Sequence, residues 1–182
     1  VMQQAGIPSS FLDARQVIKT DKTFGSAKVN FELTDEKIAE HFAQHPEVQV
    51  TTGFISSSKG GLTTTLGRGG SDYTAAILAA GLNAKAIEIW TDVNGVLTAD
   101  PRKVRKAFTI PSMTYAEAME MSHFGAKVIY PPTLQPALKK DIPLYIKNTF
   151  NPGFEGTFIS NQLDPDGHTV KGISSINEIA LL

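Results

Sequence analysis

Apolar and polar positions along this chain fall into stretches that read by turns as strand and helix. SSFLDAR (9–15) reads as a short strand. LTDEKIAEHFAQHP (33–46) predicts a helix with Thr34 as N-cap, Asp35 and Glu36 in the first turn where the helix dipole favours carboxylates, and Pro46 beyond its end. VQVTTGFIS (48–56) is the next strand. SDYTAAILAAGLN (71–83) has apolar residues on nearly every face, so it predicts a buried helix, capped by Ser71 or Asp72 and stopped by a left-handed Gly81. AKAIEIWTD (84–92) follows as a central strand. From Met113 to Thr149 the pattern gives a helix stopped by Gly125, a second helix entered through Pro131 and Pro132, and a strand. Alternating strands and helices predict an α/β fold, a mostly parallel sheet covered by helices. The polar Asn/Asp/Gly/Pro run over 161–169 reads as a linker, and VKGISSINEIALL (170–182) as a strand that starts something new.

Composition narrows the partners. The chain has 182 residues, enough for one sizeable core or a core plus the edge of a second domain. Its 17 Lys and Arg nearly cancel its 18 Asp and Glu, so no long-range field draws it to nucleic acid or an anionic membrane, and a small-molecule partner is expected. The absence of cysteine excludes disulfides and thiolate metal sites and fits a reducing compartment. No run approaches the roughly 18 apolar residues needed to span a bilayer, so we expect a soluble chain. VMQQAGIPSS at the N-terminus has neither the basic flank nor the apolar run of a signal peptide. It reads as the end of a helix entering a strand, and the true start is expected to lie upstream.

Three places carry candidate chemistry. In TTTLGRGGSDYTAA (63–76), Gly67, Gly69 and Gly70 let backbone N–H groups converge on an anion at the start of a helix, Arg68 can grip a carboxylate or phosphate through two parallel hydrogen bonds, and Ser71 and Asp72 add a hydroxyl and a carboxylate. The plainer alternative is a tight turn with a Ser/Asp cap, because the stretch matches neither common phosphate-loop fingerprint. WTDVNGVLTADPR (90–102) leaves a strand through Thr91 and Asp92 at the end where open α/β sheets bind ligands, although Asp, Asn and Gly serve any strand exit. Lys127, between Ala126 and Val128, is a lysine in apolar surroundings. PRKVRK (101–106) reads as a solvated face apart from Arg102, and the four histidines lack metal-ligand spacing, so no metal site is assigned.

Together TTGFIS, TTTLGRGGSDYTAA, EIWTDVNGVLTADPR, MTYAEAMEMSHFGAKV and IPLYIKNTFNPGFEGTFIS, in this order and spacing, closely resemble aspartokinases of the amino-acid-kinase superfamily over nearly the whole chain. VKGISSINEIALL resembles the entry strand of the ACT domain that follows the kinase domain, and with MTYAEAMEMSHFGAKV and IKNT it looks most like the kinase portion of bifunctional aspartokinase/homoserine dehydrogenases. The resemblance implies a three-layer α/β/α sandwich, present in part: residues 1–160 as the C-terminal part of the kinase domain with its nucleotide-binding lobe, 161–169 as linker, and 170–182 as the start of an ACT-like regulatory domain. It implies ATP-dependent phosphorylation of the side-chain carboxylate of L-aspartate, early in lysine, threonine and methionine biosynthesis, in a cytoplasmic homo-oligomer assembled through ACT domains. Arg68 would hold the α-carboxylate of aspartate with Phe54 and Ser71 lining the pocket; Asp72 would orient the basic groups around the phosphoryl. Thr91, Asp92, Leu97, Asp100, Arg102 and Lys127 would hold ATP, Lys127 also serving catalysis, with Mg²⁺ bound mainly through phosphate oxygens.

The chain departs from the family's pattern in four ways. The Lys-Phe-Gly-Gly-Thr-Ser stretch that stabilises the transferred phosphoryl and the glutamate segment for the amino group of aspartate do not occur in it, Leu97 stands where many relatives have a tyrosine, and Tyr130 where many have a histidine. The 182 residues alone are therefore expected to be inactive. The alternatives are a non-catalytic nucleotide- or amino-acid-binding module of the same fold, and a nicotinamide-binding Rossmann domain, whose G-x-G-x-x-G fingerprint the sequence lacks. A glutamate or carbamate kinase would share the nucleotide half but not the ACT-like tail.

Overall fold

Parallel pairing between strands far apart in sequence organises the first half of the chain. The structure, a computed structural model, describes residues 1–123, 130–162 and 170–173, and the chain divides into two compact units, Val1–Ala84 and Lys85–Leu182. In the first, β1 (Ser9–Leu12) runs parallel to β3 (Val48–Thr51), with Ser9 opposite Val48 and Leu12 opposite Thr51. Such a pair needs a long crossover. Here it contains β2 (Lys19–Thr20) and helix α1 (Phe31–Gln44). β2 pairs in parallel with β4 (Ile55–Ser58), which pairs antiparallel with β5 (Thr63–Thr65). Helix α2 (Gly70–Leu82) packs on α1, and Leu12, Val17, Ile18, Ile38, Leu66 and Ile77 form the core beneath.

Four local expectations are corrected here. The N-cap of α1 is Asn30, whose Oδ1 accepts from Leu33 N at 3.1 Å. Thr34 is instead buried, and its hydroxyl joins the helix to β2, accepting from Lys19 N (3.0 Å) and donating to Lys19 O (3.3 Å). The single strand expected over 48–56 is two, broken at Gly53–Phe54, where Phe54 takes a φ of 73°. α2 starts at Gly70 behind Gly69 (φ 66°), so neither Ser71 nor Asp72 is the cap. It ends at a left-handed Asn83, which removes the stop from Gly81. Gly81 lies inside the helix, where a Cβ would stand 2.8 Å from Ile38 Cδ1, so its smallness lets the two helices approach.

In the second unit a four-stranded sheet has the order β6 (Ile87–Thr91), β8 (Leu144–Asn148), β9 (Thr157–Ser160), β7 (Ser112–Thr114). β6–β8 and β9–β7 are parallel and β8–β9 antiparallel. The expected central strand, β6, is thus at one end of this sheet. Helix α3 (Tyr115–His123) opens with a capping box: Glu117 Oε2 accepts from Thr114 N (2.6 Å) while Thr114 Oγ1 accepts from Glu117 N (3.2 Å). α4 (Pro131–Lys139) begins on prolines as expected. Buried Ile87, Met113, Tyr115, Leu144, Ile146 and Ile159 fill the interior. The Tyr115 hydroxyl donates to Ile142 O, and burial pushes it up to about 12. Gly125, most of the expected linker and residues 174–182 lie outside the described residues. No described helix is long and apolar enough to cross a membrane.

Candidate functional site

The glycine turn between β5 and α2 draws together residues from three segments of the first unit. Gly70 N donates to Gly67 O (3.1 Å) and Tyr73 N to Gly69 O (3.0 Å), which folds Gly67–Gly69 tightly in front of α2. Phe54 is bound to the same helix: its N–H donates to Thr74 Oγ1 (3.0 Å), whose hydroxyl donates to Gly70 O (2.7 Å). A Cβ on Gly70 would stand 2.7 Å from the Phe54 ring, and one on Gly53 would stand 3.0 Å from Ser71 Cβ. Phe54, Ser71 and Asp72 therefore meet at the amino end of α2, where the helix dipole favours negative charge. Asp72 is half-buried, and burial pushes its carboxyl above the usual range against the lowering effect of a hydrogen bond with Ser71. Arg68 is exposed on the turn, with no carboxylate at ion-pair distance among the described residues.

The second unit carries the other predicted cluster on the exit from β6. Thr91 is tied to the neighbouring exit by Thr149 N, which donates to Thr91 O (2.8 Å), and its hydroxyl donates to the exposed Asp92 (3.2 Å). The chain then makes an excursion whose outgoing and returning arms are joined: Ile110 N donates to Val96 O (2.8 Å), Leu97 bridges Thr109, and Thr98 N donates to Phe108 O (2.9 Å). At its far end Asp100 accepts from Arg102 N (2.9 Å), Nε (3.0 Å) and a terminal guanidinium nitrogen (2.8 Å). Those hydrogen bonds hold the Asp100 carboxyl down at about 2 and raise Arg102. Arg102 is thus already engaged by a carboxylate. Beside it a cavity of about 520 Å³ opens between Thr98, Asp100, Val104 and Phe108 on one side and Gly172 and Ile173 on the other.

Lys127 lies outside the described residues. The described residues contain no group of three or more His, Asp or Glu side chains positioned to hold a metal ion. Sequence reasoning missed the residues that hold the excursion from beneath: Asn148, whose Nδ2 donates to Asn94 Oδ1 (2.7 Å), and Thr157, whose hydroxyl reaches both arms. The available signal was slight: Asn94-Gly95 looks like any strand-exit turn, and Gly156-Thr157 is the step into β9.

Comparison with known proteins gives the family. The chain is 41% identical over 166 residues to lysine-sensitive aspartokinase 3 of Escherichia coli (strain K12), covering 90% of this chain and 37% of the relative. It is 39% identical over 189 residues to the chloroplastic bifunctional aspartokinase/homoserine dehydrogenase 1 of Arabidopsis thaliana, covering all of this chain and 21% of the relative. The chain thus spans well under half the length of these relatives. The crystal structure of E. coli aspartokinase III in complex with aspartate and ADP superposes with a TM-score of 0.85 at 41% identity, over 90% of this chain and 37% of that one. The α/β class expected from the sequence is the fold of these enzymes. The amino acid kinase family model matches residues 1–148, through both units and up to the last residue of β8, and the chain belongs to that family.

Proposed function

We propose that this chain is the C-terminal part of the kinase domain of an aspartokinase, which transfers the γ-phosphoryl of ATP to the side-chain carboxylate of L-aspartate. The observation that carries the reading is the glycine turn, where an arginine without a carboxylate partner among the described residues, a hydroxyl and a left-handed phenylalanine meet at a helix N-terminus. Similarity to a structure that holds aspartate and ADP supports it. In this reading Arg68 binds the α-carboxylate, Phe54 and Ser71 shape the pocket, and Asp72 orients the cations around the phosphoryl. Thr91, Asp92, Leu97, Asp100, Arg102 and Lys127 contact the nucleotide. The acceptor is already ionised, so no general base is needed; in-line positioning and charge neutralisation supply the catalysis. Mg²⁺, held mainly by the phosphates, would neutralise part of the developing charge. Residues 161–169 serve as a linker and 170–182 begin an ACT-like regulatory domain, in a cytoplasmic, oligomeric enzyme of lysine, threonine and methionine biosynthesis.

Hydroxylamine trapping of aspartyl phosphate tests the reading in the full-length natural protein. MgATP and aspartate should give the hydroxamate, and Arg68→Ala should raise KM for aspartate far more than KM for ATP, with a loss of about 1.5–3 kcal/mol as for other hydrogen bonds to a charged group. An Arg68→Ala enzyme with the parental aspartate KM would remove Arg68 from the pocket. A parent that forms no hydroxamate would refute the activity.

A further inference from the structure

We infer that Thr157 is a positioning residue for nucleotide binding, acting through the excursion that carries Leu97, Asp100 and Arg102; the inference rests on the nucleotide role proposed above. Thr157 is fully buried at the start of β9, so it cannot touch a ligand itself. Its hydroxyl accepts from Val96 N at 2.8 Å and donates to Ile110 O at 2.7 Å. Val96 belongs to the outgoing arm and Ile110 to the returning arm, and both are buried. One atom from a distant strand thus completes one backbone donor and one backbone acceptor at the base of the excursion. Only a hydroxyl can do both at once. Gly95 is drawn so close that a Cβ there would stand 2.5 Å from Thr157 Oγ1, which leaves the base no freedom to slide. Two further ties act at the same level: Thr109 Oγ1 donates to Asn94 O (2.9 Å) and Asn148 Nδ2 to Asn94 Oδ1 (2.7 Å).

Above this base the arms are joined to each other and, through Ile173 N, which donates to Thr98 O (2.8 Å), to the segment at 170–173, so the base at Thr157 is one of the anchors that set their direction. Valine matches threonine in shape but would leave the Val96 N–H and the Ile110 carbonyl without this partner, and the base would reorganise to satisfy them. The residues displaced are those of the nucleotide rim, whereas the aspartate residues lie on other segments of the chain.

The test is steady-state kinetics on the full-length protein with Thr157→Val and Thr157→Ser, together with direct titration by ADP. Thr157→Val should raise KM for ATP and weaken ADP binding by about tenfold, as expected for losing a buried hydrogen-bond partner, with the aspartate KM unchanged. Thr157→Ser, which keeps the hydroxyl, should restore the parental values. A merely structural role would lower the melting temperature without separating the two KM values. The inference fails if the Val variant keeps its ADP affinity, if both KM values rise together, or if Ser does no better than Val. Should Thr157→Val not fold, Thr109→Val carries the same expectation at smaller size, and its parental ADP affinity would overturn the inference equally. A parent that binds no ADP refutes the nucleotide role itself, and a parent that binds it with Thr157→Val unaffected refutes this inference alone.

Discussion

Replacing Gly70 by alanine should damage the proposed aspartate pocket more than the fold. The new Cβ would stand 2.7 Å from Phe54 Cδ2, 3.2 Å from Phe54 Cα and 3.3 Å from Leu66 Cβ. Non-bonded carbons prefer about 3.5–4.0 Å, so the ring must retreat by roughly 1 Å and the Phe54 main chain by several tenths. Phe54 is 44% exposed, so its ring can swing outward. The main chain cannot follow freely, because Phe54 N donates to Thr74, Phe54 O accepts from Leu66 N (2.9 Å), and the residue already holds a φ of 73°. Overpacking of this kind costs about 1–3 kcal/mol. The better helix propensity of alanine offsets at most about 1 kcal/mol. A net loss near 1 kcal/mol lowers the melting temperature by about 2–4 °C in a domain of 150–250 residues. Since the strain falls on Phe54, hydroxamate kinetics on the full-length protein should show KM for aspartate rising several-fold with KM for ATP unchanged. A variant with the parental melting temperature and the parental aspartate KM would refute the reasoning, for Phe54 would then yield without cost and take no part in the pocket.

Two electrostatic predictions concern one carboxylate in each unit. Burial raises the Asp72 carboxyl, so its charge costs stability above that raised value, and the cost disappears as pH falls below the ordinary carboxylate range. Asp72→Asn should therefore raise the melting temperature at neutral pH while lowering kcat, and a fall in melting temperature would mean that the dipole of α2 governs this carboxylate instead. Asp100 behaves oppositely: Arg102 holds its carboxyl at about 2, so its contribution is complete above the ordinary range and is lost as pH falls through about 2. Carboxyl-carbon NMR should find no Asp100 titration in the ordinary range, and should find one after Arg102→Ala; a normal midpoint in the parent would exclude the pair.

The elements legible in the sequence were those with a local cause. α2 is apolar on nearly every face and α4 opens on two prolines, and both formed where the pattern put them. The misplaced details had distant causes. Thr34 has the side chain of a cap, but its hydroxyl is taken by β2, fifteen residues earlier. Gly81 looks like a stop, but it is the space that Ile38 of another helix requires. The break between β3 and β4 depends on Phe54 adopting a left-handed φ, which composition disfavours and which the hydrogen bond to Thr74 supports. β6 has the apolar character of a central strand, but its neighbour on one side is β8, more than fifty residues away.

The candidate site divides along the same line. Residues 67–72 could be read as chemistry because cation, hydroxyl and carboxylate are consecutive; Thr157 could not, because the arms it joins are 61 and 47 residues away. The structure also distinguishes two arginines by the partners they have. Arg102 is held by the carboxylate two residues before it, so its fork is already oriented and part of its charge already compensated. A phosphate reaching it would have to compete with Asp100, so in the proposed nucleotide role Arg102 would offer orientation more than charge. Arg68 has no such partner among the described residues. In the proposed role it would meet a carboxylate with its full charge and give up side-chain freedom, about 1.5–2 kcal/mol, to form two parallel hydrogen bonds. Only a ligand whose two oxygens match the fork would recover that cost, so in the proposed role Arg68 would select for a carboxylate presented in the right plane.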